Sequence, residues 1–133
     1  IKDSWNSHTK NKEVKIGVFN KHTLTRSVPG NWKNCFGSTA IRNGVNIWTL
    51  KVKKKDTDRK FVSVMFGIIK EENANKSKID GCFAYGNGND NDGYGFYAAN
   101  GCIYHCSKYG QPYITNYQLK NNDIVCIIVD YYK

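Results

Sequence analysis

Three histidines (His8, His22 and His105) and five cysteines (Cys35, Cys82, Cys102, Cys106 and Cys126) are the side chains best suited to act as base, nucleophile or soft metal ligand. Only Cys102-Ile103-Tyr104-His105-Cys106 brings both types together. On an extended strand residues 102, 104 and 106 share one face and His105 points to the other, so a thiolate–imidazole dyad is not expected to form locally. A zinc site could draw on Cys82, Cys102 and Cys106, but no C-x-x-C knuckle holds two sulfurs at a fixed bite. The cysteines therefore read as structural, reduced thiols packing as small hydrophobes in an intracellular protein, cytoplasmic or nuclear. No metal site is expected.

Hard-ligand and acid–base chemistry fare no better. The run Asn87-Gly88-Asn89-Asp90-Asn91-Asp92-Gly93 resembles an oxygen-rich calcium loop. With Gly93 at the sharp turn, Asp90 and Asp92 fall correctly, but Gly88 and Ala99 replace the first and last carboxylates. A polar loop is the better reading. No G-x-x-x-x-G-K phosphate loop, nucleophile elbow or spaced carboxylate pair appears, so neither an enzyme nor a cofactor is expected. The strongest charge feature is Lys51–Lys60 (KVKKKDTDRK). It reads as a solvated strand end and loop, with Lys blunting an exposed edge. The alternative is a nucleic-acid-binding surface on Lys53, Lys54, Lys55, Arg59 and Lys60. Base stacking would need exposed aromatics beside those charges, and the nearest, Trp48 and Phe61, alternate with the buried set.

The elements that would carry these residues are strands. Trp48, Leu50 and Val52 alternate with Thr49, Lys51 and Lys53, giving one buried face and one wet face. Val62, Val64, Phe66 and Ile68 alternate with Ser63, Met65, Gly67 and Ile69, so both faces are largely apolar. Ile124–Val129 is apolar throughout and predicts an inner strand covered on both sides. Weaker strands are expected at Val14–Phe19, Thr23–Val28, Gly93–Ala98, Gly101–Cys106 and Tyr113–Tyr117. The pairs Asn43-Gly44, Asn87-Gly88, Asp92-Gly93 and Asn100-Gly101 supply tight turns, and Asn100-Gly101 marks the clearest hairpin. Lys70–Lys78 is helix-friendly in composition but has no apolar stripe, so one turn at most is expected there.

Length and composition agree with a folded, all-β chain. The 133 residues suit one domain spanning 1–133, long enough to build a core without staples. Twenty Lys and Arg against eleven Asp and Glu give a net charge of +9, while 14% aromatic residues are too many for a disordered basic tail. No run nears the roughly 18 apolar residues of a membrane-spanning helix, so no membrane partner is expected. The chain opens at Ile1 with no apolar signal region, and is expected to come from a longer one. Many short strands with Gly and Asn turns predict a two-sheet antiparallel β-sandwich or a barrel.

The order of these signals resembles a SPRY domain along nearly the whole chain. Trp5 is followed by the strand pair Val14–Phe19 and Thr23–Val28, then Asn31-Trp32 and Phe36-Gly37. Gly44 and Trp48-Thr49-Leu50-Lys51-Val52 are similar to the family's G-x-x-x-W-E-V-x-V signature. Phe66-Gly67-Ile68, Tyr94-Gly95-Phe96, Gly101 and Tyr109-Gly110 follow in the family's order. Asn122-Asp123-Ile124-Val125 through Val129-Asp130 looks like G-D-x-I-x-V-x-x-D. Thr49 stands where the family usually has Glu, and Asn122 where it has Gly; Asn tolerates positive φ, so that turn is expected to survive. The family's closing aromatic strand would follow Asp130. Either the chain has been cut before it, or the last inner strand is expected to have an open edge for a partner or for a second copy in a homodimer.

The resemblance implies a concanavalin-like jelly-roll sandwich and a noncatalytic protein-interaction module that recognises a peptide or folded partner through loops at one end. The loops would be Pro29–Cys35, Lys54–Lys60, Asn87–Gly93 and Lys108–Tyr113. Trp32, Tyr109 and Tyr113 are the expected anchors, with Asn31 and Lys108 beside them, because aromatics dominate interface energetics. Trp32 could equally be core. A sugar-binding sandwich would need a carboxylate and aromatic pocket that the sequence does not place.

Overall fold

The computed structural model describes residues 4–5, 10, 15–17, 22–25, 32–53, 63–74, 81–85, 93–114 and 119–132. Among the described residues, eight strands run in the order β1 (Lys15–Ile16), β2 (Leu24–Thr25), β3 (Gly44–Lys51), β4 (Met65–Ile68), β5 (Tyr94–Tyr97), β6 (Cys102–His105), β7 (Gln111–Pro112) and β8 (Ile124–Tyr131). The one helical element among the described residues is a single turn, α1 (Glu71–Ala74), where a lone turn was expected. Every pairing is antiparallel. The strands form a four-stranded sheet ordered β4-β5-β6-β7, a two-stranded sheet β3-β8 and the short ladder β1-β2. The chain is all-β, as its period-two patterning predicts.

In the β3-β8 sheet Trp48 lies opposite Ile127, Leu50 opposite Val125 and Asn46 opposite Val129, and these residues are half-buried. The alternation expected for Trp48, Leu50 and Val52 is therefore present. The expectation for Ile124–Val129 is corrected: only one face is covered, and Ile124, Cys126 and Ile128 are exposed with Lys51, Thr49 and Ile47 across from them. β8 has only β3 as a strand neighbour among the described residues, so its other edge is unpaired there. The ladder closes on the turn before β8. Asn122 N–H donates to the Val52 carbonyl (2.8 Å), and Val52 N–H donates to the Asp123 carbonyl (3.1 Å). Asn122 holds φ at 70°, the left-handed conformation its side chain type tolerates.

The β5-β6 hairpin falls where Asn100-Gly101 predicts it. Gly101 has φ of 70°, and its N–H donates to the Tyr97 carbonyl (2.9 Å), turning the chain so that Tyr97 pairs with Cys102. The strand expected over Tyr113–Tyr117 is not present at Tyr113 and Ile114. The fourth strand is Gln111–Pro112, on Ile103 and Cys102 of β6; Tyr113 and Ile114 lie past its end, and 115–117 lie outside the described residues. Pro112 is tolerated because β7 is an edge strand whose missing N–H costs no ladder bond on the open side.

Register assigns the two faces of the four-stranded sheet. Met65, Tyr97, Cys102 and Pro112 share one face with Gly95 and Tyr104; Phe66, Phe96 and Ile103 share the other with Ile68, Tyr94 and His105. The first face carries the core. Cys82, Phe83, Ala84 and Tyr104 are buried there, with Trp32, Phe36, Met65, Ile69, Tyr85, Tyr97 and Cys102 packed around them. The segment 81–85 is held on that face by Gly93 N–H donating to the Phe83 carbonyl (2.8 Å).

Candidate interaction surface

The segment after β6 is built from short-range bonds and one close approach. Ser107 Oγ accepts from Tyr109 N–H (3.0 Å), turning the backbone. Gly110 then passes so close to the inner face that a Cβ there would lie 2.6 Å from Tyr104 Cζ and 2.7 Å from Cys102 Cβ. Beyond β7, Tyr113 and Ile114 N–H both donate to the Gly101 carbonyl, at 3.1 and 3.0 Å. Asn100 ties the hairpin to the buried ring beneath: its amide donates to Tyr104 Oη (2.9 Å), while its Oδ1 accepts from Cys102 N–H (3.0 Å). Backbone in 107–114 is thus fixed from both ends.

On that pinned segment the side chains project. Tyr109 is 84% exposed and Tyr113 is 68% exposed, and Lys108 is exposed beside them. Tyr113 also meets Phe96 edge to face, ring centroids 6.5 Å apart, so it borders the outer face of the four-stranded sheet. Ile68, Tyr94 and Ile103 on that face are exposed as well. These were absent from the expected contact residues. The signal was in the sequence, where Phe66 and Ile68 alternate against a second apolar row. Period two does not say which of two apolar faces remains open.

Trp32 sits elsewhere. It is half-buried against the core, its ring edge-to-face with Tyr97 (5.1 Å) and Tyr85 (6.2 Å), and its carbonyl accepts from Gly81 N–H (3.1 Å). The structure therefore separates it from Tyr109 and Tyr113 in environment: it packs where they project. Asn31 lies outside the described residues, as do most of the other expected loops. Lys53 is exposed at the end of β3, and Lys54, Lys55, Arg59 and Lys60 lie outside the described residues, as does the acidic run at 87–92.

No model of a known family matches the chain, and neither the curated proteins nor the solved structures give a match.

All five cysteines are free thiols. Burial pushes Cys35 up to about 11, against the opposing charge of Lys10, and also raises Cys82. The Tyr85 phenol is raised by desolvation. Among the described residues no group of three or more His, Cys, Asp and Glu gathers as a metal site, and no helix is long and apolar enough to cross a membrane. One expectation about reactive groups is corrected. Cys106 does not continue the β6 alternation: its φ of 48° swings the side chain out of register, and its sulfur lies 3.6 Å from His105 Nε2.

Proposed function

We propose that this chain is a noncatalytic, intracellular protein-interaction module of the SPRY type, its strands forming a jelly-roll sandwich, and that it engages a peptide or folded partner through 108–113. One observation carries the reading: Tyr109 and Tyr113 stand largely in solvent on backbone that is already fixed. A large aromatic held this way offers much contact area with little ordering left to lose on binding. The face that Tyr113 borders, with Ile68, Tyr94 and Ile103 exposed on it, extends the same surface. Free thiols throughout fit a reducing compartment.

A peptide array probed with the labelled chain, wild type against Tyr109→Ala/Tyr113→Ala, tests this. The double variant is expected to lose the wild-type hits while a Lys53→Ala control keeps them. Hits retained in full by the double variant would remove the segment from the binding surface.

A further inference from the structure

The corrected position of Cys106 creates a site. His105 Nδ1 lies 3.1 Å from the Gly93 carbonyl, which can only accept, so the ring proton resides on Nδ1 and Nε2 presents its lone pair. The Tyr94 ring stacks flat on the imidazole, centroids 3.7 Å apart and planes 3° from parallel, closing one face of the ring. The Cys106 sulfur stands 3.6 Å from Nε2 and 3.8 Å from Nδ1. Being almost equidistant from both nitrogens, it lies over the ring, on the face Tyr94 leaves open. Cys106 is exposed, so its thiol is open to a reagent in solution. Nucleophile, base and a carbonyl that fixes the base are the parts of an activated thiol.

We propose that Cys106 is a modification site for disulfides, with His105 as its base and an anionic low-molecular-weight disulfide of the glutathione class as co-reactant. His105 Nε2 takes the thiol proton as the sulfur attacks one sulfur of the disulfide. The Cys106–sulfur bond forms, the original S–S bond breaks, and the departing thiolate recovers the proton from the imidazolium. Cys106 is oxidised to the mixed disulfide and half of the co-reactant is reduced to thiol. The net charge of +9 favours an anionic reactant over a cationic one. Resolution by Cys102 is excluded by reach: four residues of extended strand span about 13 Å, against a limit of roughly 7 Å between bridged Cα atoms. Cys102 therefore does not release the adduct. The groups facing the imidazole are the Tyr94 phenol ring and the Cys106 thiol, with Ile68 next to Tyr94 in register and no carboxylate among the described contacts.

The reduced full chain is treated with oxidised glutathione or with cystamine, a cationic disulfide, and adducts are assigned by peptide mass mapping. Cys126, exposed on β8, is the reference thiol. Cys106 is expected to react with oxidised glutathione at least about a hundredfold faster than Cys126, the low end of what a positioned base supplies. Cystamine is expected to be slower, with the difference shrinking in salt. His105→Gln is expected to bring Cys106 down to the Cys126 rate and to steepen its rate–pH slope to that of a thiol without a base. Equal rates at Cys106 and Cys126, or a His105→Gln protein with unchanged rate and slope, would overturn the proposal. Faster reaction with cystamine would overturn the assignment of an anionic co-reactant.

Discussion

Replacing Trp32 and Tyr109 in turn separates packing from projection. A fully buried Trp→Ala truncation costs about 3–5 kcal/mol. Trp32 is only half-buried, which roughly halves the transfer contribution, but it also gives up two edge-to-face contacts, to Tyr97 and Tyr85, worth about 0.5–1.5 kcal/mol each. A loss of about 2.5–5.5 kcal/mol is expected. Unfolding entropy near 2.1 cal/mol/K per residue makes about 0.28 kcal/mol/K for 133 residues, so Trp32→Ala should lower Tm by about 9–20 °C. Tyr109, 84% exposed, should lose less than about 0.5 kcal/mol as Tyr109→Ala, a shift under about 2 °C. Thermal melts followed by far-ultraviolet circular dichroism, checked for reversibility, read both. A Trp32→Ala protein melting within 2 °C of wild type would show that the indole is not part of the core. A Tyr109→Ala protein losing as much as Trp32→Ala would show the same error in the opposite place, and either result would undo the division of the aromatics made above.

Asn122→Ala, at φ of 70°, should cost about 1–2 kcal/mol by urea titration, while Asn122→Gly should be neutral or slightly stabilising; equal losses for both would mean that the side chain matters for a contact and not for the backbone. Burial raises the Cys35 thiol from 9.0 to about 11, so the folded chain holds that proton where the unfolded chain has released it. Stability from this group is complete below pH 9 and declines as pH rises toward 11, and Cys35→Ala should flatten that part of a urea-midpoint against pH curve.

Much of the fold was legible because the strand period is two and a two-residue turn sets the register. Trp48, Leu50 and Val52 fell on one face as read, and Asn100-Gly101 closed the hairpin as read, because both depend on neighbours in sequence. What escaped depends on neighbours in space. Ile124 and Ile128 are as apolar as Val125 and Ile127, and only the count of layers above each face decides which pair is covered. The edge strand is Gln111–Pro112, and past it Tyr113 and Ile114 N–H turn to the Gly101 carbonyl; of the expected strand, 115–117 lie outside the described residues. Trp32 was ambiguous for a similar reason: an aromatic next to a loop serves as anchor or as core according to what stands beneath it, here Tyr85 and Tyr97.

The support beneath the candidate surface and the thiol site were not legible in the sequence, for two distinct reasons. Tyr109 and Tyr113 were singled out by residue type, but what makes them useful is the fixed backbone under them, and that rests on Gly110 lying against Tyr104 and on bonds from 113–114 back to Gly101. A side chain larger than hydrogen at 110 would lift the segment from the sheet. The Cys106–His105 contact, in contrast, was argued away by alternation. Alternation holds only while φ stays negative and extended, and a single left-handed residue reverses the face of its own side chain. Cysteine adopts that conformation at a cost of about 1–2 kcal/mol, so the turn out of β6 must be held by its surroundings. Ser107 N–H reaching the Ala84 carbonyl (3.4 Å) and Gly110 seated on Tyr104 are the contacts that hold it. The buried Tyr104 ring thus supports both features: it seats the loop that presents Tyr109, and through that loop it keeps the Cys106 sulfur over the imidazole.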